Sequence, residues 1–314
     1  MKSDGLHIDD RWILSLRGKK NDIDPLKPYG WIVEKERTRS GLIEDTGIIF
    51  LTNRECPFHC LMCDLWKNTT DKSAEPGNIP AQIKYALEQM PGDIRNIKLY
   101  NSGSFFDNKA IPKEDYREIA GLLAGMKTVI VESHPFFIGE NCLEFDEMLI
   151  PELDVAIGLE TVCPDVTSIL NKRMTAEDFS VSVKFLRANA INARAFILLK
   201  PPLLDENEGI YWAEESLRYA FGCGVECCTI IPVRAGNGAM EELQDKGLFT
   251  PPDIKSLERV LEYGIGLKAG RVFADTWDLK LFSRCHKCFD QRIARINNMN
   301  LYQSLYPETG CDCN

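Results

Sequence analysis

At 314 residues and 44% hydrophobic content, the chain has ample apolar material for a large core, and α/β barrels of this length commonly form one unit. A net charge of −10 and a pI near 5.1 give no global electrostatic footprint for nucleic acid. No stretch approaches ~20 uninterrupted apolar residues, so no membrane span is expected, and the opening Met1–His7 lacks the apolar centre of a signal peptide.

Residues 1–46 are polar and rich in mixed charge, with Pro25 and Pro28 interrupting them. They read as an extension of little regular structure, anchored to a core by Trp12, Tyr29 and Trp31. From residue 47 the pattern alternates. Strands are expected at 47–52, 94–100, 128–132, 154–159, 193–199, 226–233 and 271–275, each a short apolar or β-branched run of the kind buried on both faces. Helical spacing fills 80–90, 113–126, 176–189, 208–221 and 253–268. Strands alternating with helices imply βαβ units on a parallel sheet. The expected fold is α/β: a partial, open parallel α/β barrel of six to seven units over 47–280, followed by a Cys-rich metal-binding tail over 281–314.

The twelve cysteines are unevenly placed. Cys142, Cys163, Cys223, Cys227 and Cys228 are scattered and read as small buried hydrophobes. Cys56, Cys60 and Cys63 form C-x3-C-x2-C directly after the first strong strand. Three thiolates on one loop suit three irons of a cubane cluster, leaving the fourth iron open for chemistry. Zinc with His59 as fourth ligand, or plain buried thiols, are the alternatives. Cys285 and Cys288, with Cys311 and Cys313, make two close pairs suited to zinc or to a second iron–sulfur cluster. Clustered thiols in a long, signal-free chain point to a reducing cytoplasm.

In α/β barrels the working groups stand at the carboxyl ends of the strands. After the second expected strand come Asn101, Ser102, Gly103 and Ser104, polar groups around a glycine that admits close backbone approach. The third ends at His134, the fourth at Glu160, a carboxylate that must be paired or face a polar cavity. Arg173 follows downstream, Lys200 ends the fifth strand, and Ile231 and Val233 end the sixth.

The three-cysteine loop, in this context, resembles the radical S-adenosylmethionine (SAM) superfamily. The runs 56–70, 102–107, 158–161, 199–204 and 231–238 are similar to the group around the Elongator catalytic subunit, nearest the archaeosine-synthase radical SAM subunit and its bacterial relatives. The resemblance implies a 4Fe-4S cluster on Cys56, Cys60 and Cys63, with SAM chelated by the fourth iron and cleaved to a 5′-deoxyadenosyl radical. It places Asn101, Ser102, Gly103 and Ser104 at the SAM amino group, although the usual Gly-Gly-Glu is absent. Glu160 would face SAM, Arg173 would clamp its carboxylate, and Ile231 and Val233 would lie along the adenine. Lys200 and His134 are candidates for catalytic contact with substrate. The implied substrate is a deazaguanine-type nucleoside in tRNA, met directly or through a tRNA-binding partner, with a reductant such as flavodoxin or ferredoxin. A small metabolite or peptide is the alternative substrate, and a non-catalytic iron–sulfur or zinc scaffold the alternative class.

Overall fold

The computed structural model describes residues 7–311 and 313, so the signal-peptide reading of the opening residues lies largely outside it. Eight strands form one sheet in sequential order: β1 (Gly30–Arg37), β2 (Ile43–Phe50), β3 (Asn96–Tyr100), β4 (Thr128–Glu132), β5 (Glu152–Glu160), β6 (Asn192–Leu199), β7 (Cys227–Pro232) and β8 (Arg271–Ala274). β1 and β2 are antiparallel; every later neighbour pair is parallel. The expected open α/β barrel is therefore found. The 1–46 segment departs from expectation: it contributes a full strand, and the boundary after residue 46 falls inside β2.

The helices are α1 (Asp10–Ser15), α2 (Asn78–Leu87), α3 (Tyr116–Leu123), α4 (Glu140–Met148), the single turn α5 (Pro164–Thr167), α6 (Ala176–Ala188), α7 (Glu206–Cys223), α8 (Ala239–Asp245), α9 (Ile254–Gly266) and α10 (Phe289–Tyr302). Their starts follow local chemistry. Thr175 and Asp178 form a capping box on α6, and Asp205 and Glu208 form one on α7. Among the described residues, no helix is long and apolar enough to cross a membrane.

Strand alternation sorts the two faces of the sheet. Ile97, Leu99, Val129, Val131, Val155, Ile157, Ala195 and Ile197 join the apolar core with the helices. The opposite face carries buried charge at its lower end. Lys98 Nζ meets Glu36 Oε2 at 2.5 Å, and Arg194 reaches Glu36 Oε1 at 2.9 Å and Asp154 Oδ2 at 2.8 Å. Toward the strands' carboxyl ends this layer gives way to aromatics, with Phe50 against Tyr29, Tyr100 and Trp277, and Tyr100 against Phe196.

Candidate active site

The C-x3-C-x2-C loop leaves the carboxyl end of β2 and crosses the barrel mouth. Cys56, Cys60 and Cys63 are partly buried, and burial pushes each thiol up to about 12. The backbone amides of Phe58 and Leu65 donate to Cys56 and Cys63 respectively. Three other segments hold the loop. Asn237, after β7, donates to the carbonyls of Leu61 (2.7 Å) and Cys63 (3.1 Å) and accepts from the Met240 amide. Asn171 donates to the carbonyl of His59 at 2.8 Å and to Asp10 Oδ1 at 2.7 Å. Leu61, Met62, Val233 and Ile231 pack in a second apolar cluster with Ile13 of α1, so the two β7-end residues support the loop's apolar side.

The segment after β3 faces this loop. A Cβ added at Gly103 would lie 3.3 Å from the Cys56 Cβ, so glycine permits the approach. Asn101, Ser102 and Ser104 are buried. Glu132, at the end of β4, gathers the segment by accepting from the amides of Asn101 (2.8 Å), Ser102 and Gly103. Burial nevertheless raises its carboxyl to about 7, against those hydrogen bonds. Ser104 Oγ accepts from the His134 amide at 2.9 Å. Thr52 Oγ1, Asn53 Oδ1 and both amide atoms of Asn101 are buried without a partner among the described residues. Orphaned polar atoms of this kind are costly unless a polar ligand meets them.

A cation completes the mouth, and it is Lys172. Its Nζ ion-pairs with Glu160 and donates to the Gly158 carbonyl at 2.6 Å. Burial disfavours the ammonium, but Glu160 and the nearby thiols Cys60 and Cys56 outweigh this and raise its pKa. A Cβ on Gly158 would stand 2.1 Å from both Lys172 Nζ and Glu160 Oε1, so glycine makes room for the pair. Arg173, the expected clamp, is half exposed and pairs with Asp10 of α1, which also meets His59 of the cysteine loop.

His134 and Lys200 are saturated rather than free. His134 Nδ1 accepts from the Phe136 amide at 3.1 Å, which leaves Nε2 as the donor to the Lys172 carbonyl at 2.9 Å. Its ring stacks on Phe58 with centroids 3.9 Å apart. Burial and Lys172 depress its pKa to about 4. Lys200 Nζ binds Glu206 (2.7 Å), Thr250 Oγ1 (2.8 Å) and the Pro251 carbonyl (3.3 Å), tying β6 to α7 and the 250s loop. Ser102, Glu160 and Lys200, all at or just past strand ends, have φ of 50°, 65° and 55°. Backbone strain is thus present at the carboxyl ends of β3, β5 and β6.

Lys172, Glu132 and Asn237 were missed by sequence reasoning. Lys172 adjoins the residue chosen instead, and no spacing rule separates two adjacent cations in a loop. Glu132 looked like an ordinary strand end.

Among the described residues, one set of three or more metal-binding side chains has its ligand atoms mutually within 4.8 Å: Cys285, Cys288, Cys311 and Cys313. Each of the three loop thiols senses another electrostatically.

No family model matches the chain. In sequence it is similar to an uncharacterised protein of Methanocaldococcus jannaschii, 26% identical over 259 residues, covering 78% of this chain and 71% of the relative. It is also similar to archaeosine synthase subunit beta of Thermococcus kodakarensis, 30% identical over 188 residues, covering 57% of this chain and 58% of the relative. In structure it resembles SuiB of Streptococcus suis, with TM-score 0.53 at 12% identity, over 76% of this chain and 49% of SuiB. Elp3 of Methanocaldococcus infernus gives TM-score 0.52 at 14% identity, over 71% of this chain and 59% of that one. The chain thus spans about half of SuiB and under two thirds of both Elp3 and the subunit beta. The chain therefore shares its fold with SuiB and Elp3.

Proposed function

We propose that this chain is a radical SAM enzyme that modifies a deazaguanine-type nucleoside of tRNA in a reducing cytoplasm, with Cys56, Cys60 and Cys63 holding a 4Fe-4S cluster. The observation that carries the reading is the thiol loop at the barrel mouth, braced by Asn237 and Asn171 and faced by the Asn101–Ser104 segment and Lys172. When bound, cluster and SAM supply a 5′-deoxyadenosyl radical that takes a hydrogen atom from substrate. Lys172 offers the cation for a carboxylate, with Glu160 fixing its position. The unpartnered amide of Asn101 and the atoms of Thr52 and Asn53 offer polar contacts to the same ligand. Glu132 keeps the 101–103 amides engaged on its own side, which fixes that segment's orientation. Phe50, Tyr100, Phe196 and Trp277 give the mouth an aromatic floor suited to a flat base.

The nucleoside substrate rests on the likeness to archaeosine synthase subunit beta. The net charge of −10 accords with a partner that supplies the tRNA-binding surface, and a flavodoxin or ferredoxin would supply the electron. Mass spectrometry of nucleosides tests this after anaerobic incubation of tRNA with protein, SAM and reductant. A mass change confined to a deazaguanine-type nucleoside is expected, alone or with the partner present. An unchanged tRNA profile, alongside turnover on a free metabolite or peptide, would contradict it.

A further inference from the structure

The tail cysteines form a second, separate site. Cys285 and Cys288 precede α10, and Cys311 and Cys313 follow it. Cys285 Sγ lies 3.9 Å from Cys311 Sγ, and Cys288 Sγ lies 3.6 Å from Cys313 Sγ, with all four sulfurs within 4.8 Å of one another. A Zn–S bond of about 2.3 Å sets the edges of a tetrahedron at about 3.8 Å. A cubane cluster would hold its four thiolates wider, because each sulfur sits on a different iron.

The surroundings are built for sulfur carrying negative charge. The amides of Cys288 and Lys287 donate to Cys285. Arg292 Nε donates to Cys288 Sγ at 3.3 Å while its Nη1 pairs with buried Glu258 of α9. Lys255, in the first turn of α9, binds the Cys313 carbonyl. Such outer contacts fix ligands and offset their charge.

What the site closes is the open edge of the barrel. Among the described residues, β8 has β7 on one side and no strand on the other. Side-chain amides of α10 take the place of a ninth strand. Asn300 accepts from the Ala274 amide (2.8 Å) and donates to its carbonyl (2.9 Å); Gln303 does the same for Val272 (2.8 and 2.7 Å). α10 also packs against β1, so it covers the gap between the first and last strands. An uncovered edge invites pairing with another chain.

We infer that Cys285, Cys288, Cys311 and Cys313 hold one tetrahedral divalent ion of zinc's class, and that this ion staples the two ends of the α10 segment over the barrel seam. The site is structural and does not carry electrons. The inference is independent of the radical chemistry, and its test needs none.

Metal and acid-labile sulfide are measured on the anaerobically purified, cluster-loaded protein. About four irons and about one zinc per chain are expected; about eight irons without zinc would overturn the inference. Cys56, Cys60 and Cys63 are then replaced together by alanine. That variant is expected to lose iron and sulfide and keep about one zinc; retained iron–sulfur absorption would place a cluster in the tail. Finally, hydrogen exchange is followed on the loaded protein before and after a chelator removes the zinc. At least tenfold faster exchange of the Val272 and Ala274 amides is expected, and unchanged exchange there would overturn the staple.

Discussion

His134 and Glu132 sit on adjoining strand-end positions and titrate in opposite senses. His134 is held neutral, with its pKa lowered to about 4, because burial and the neighbouring Lys172 ammonium disfavour its charged form. Its folded form binds fewer protons than the unfolded chain, so its contribution is full above about pH 6.5 and is lost as pH falls toward 4. Glu132 has its pKa raised to about 7, so the folded form binds more protons and its contribution falls as pH rises from about 4.5 to 7. Relative to wild type, His134→Phe should lose the acid-side drop in melting temperature, and Glu132→Gln should gain stability steadily toward pH 7. Thermal melts from pH 4 to 8 check both slopes; parallel curves for all three proteins would contradict the assignment. Lys172 carries the sharpest residue-scale claim. Charge-assisted hydrogen bonds contribute ~1.5–3 kcal/mol, so Lys172→Ala should weaken SAM binding roughly 10- to 100-fold, while Arg173→Ala, which loses only the Asp10 contact, should change it little. Titration of SAM into the cluster-loaded variants reads this directly, and equal losses for the two would sink the claim.

At the scale of elements, the site depends on segments distant in sequence that grip one loop. Asn237 binds two of its carbonyls from the end of β7, so Asn237→Ala leaves both without that donor and the Met240 amide without its acceptor. A loss of ~1–3 kcal/mol and reduced iron incorporation are expected, measured by denaturant unfolding and iron content. The strands from β2 to β8 were readable because a parallel strand covered on both faces is written as a short apolar run. β1 was not: Glu34 and Glu36 face Lys98, and Glu36 also faces Arg194, so half the strand is charged and reads as loop. α10 escaped for the same reason. Arg292 and Arg295 are buried, but they pair with Glu258 and Glu262 of α9, and a helix whose inward face is charged lacks the apolar periodicity that marks helices. At the site, the thiols and Glu160 were evident from type and spacing. That Lys172 pairs with Glu160 was not, because which of two adjacent loop cations meets the carboxylate depends on where the loop turns.

Across the whole molecule, an open barrel has a concave face that must be filled without a closed core. The lower part is filled by a paired charge layer of Glu36, Lys98, Arg194 and Asp154, and the upper part is left to aromatics and the polar mouth. Breaking a buried pair leaves uncompensated charge at a cost of ~3–5 kcal/mol. Glu36→Ala, which takes one carboxylate from each of Lys98 and Arg194 but leaves them Glu34 and Asp154, should therefore lower stability by less than that full cost while SAM binding by the folded fraction persists. Unfolding curves beside SAM titrations separate the two effects. This division places paired buried charge at the base of the barrel and the proposed chemistry at the carboxyl ends.

The most direct measurement of the central claim is 5′-deoxyadenosine formation by anaerobically reconstituted protein given SAM and a strong reductant, with and without tRNA and partner. Product from the wild type and none from Cys60→Ala is the expected result. A wild type that carries an intact cluster, yet neither binds SAM nor releases 5′-deoxyadenosine under any of these conditions, would contradict the account and leave the barrel as a scaffold.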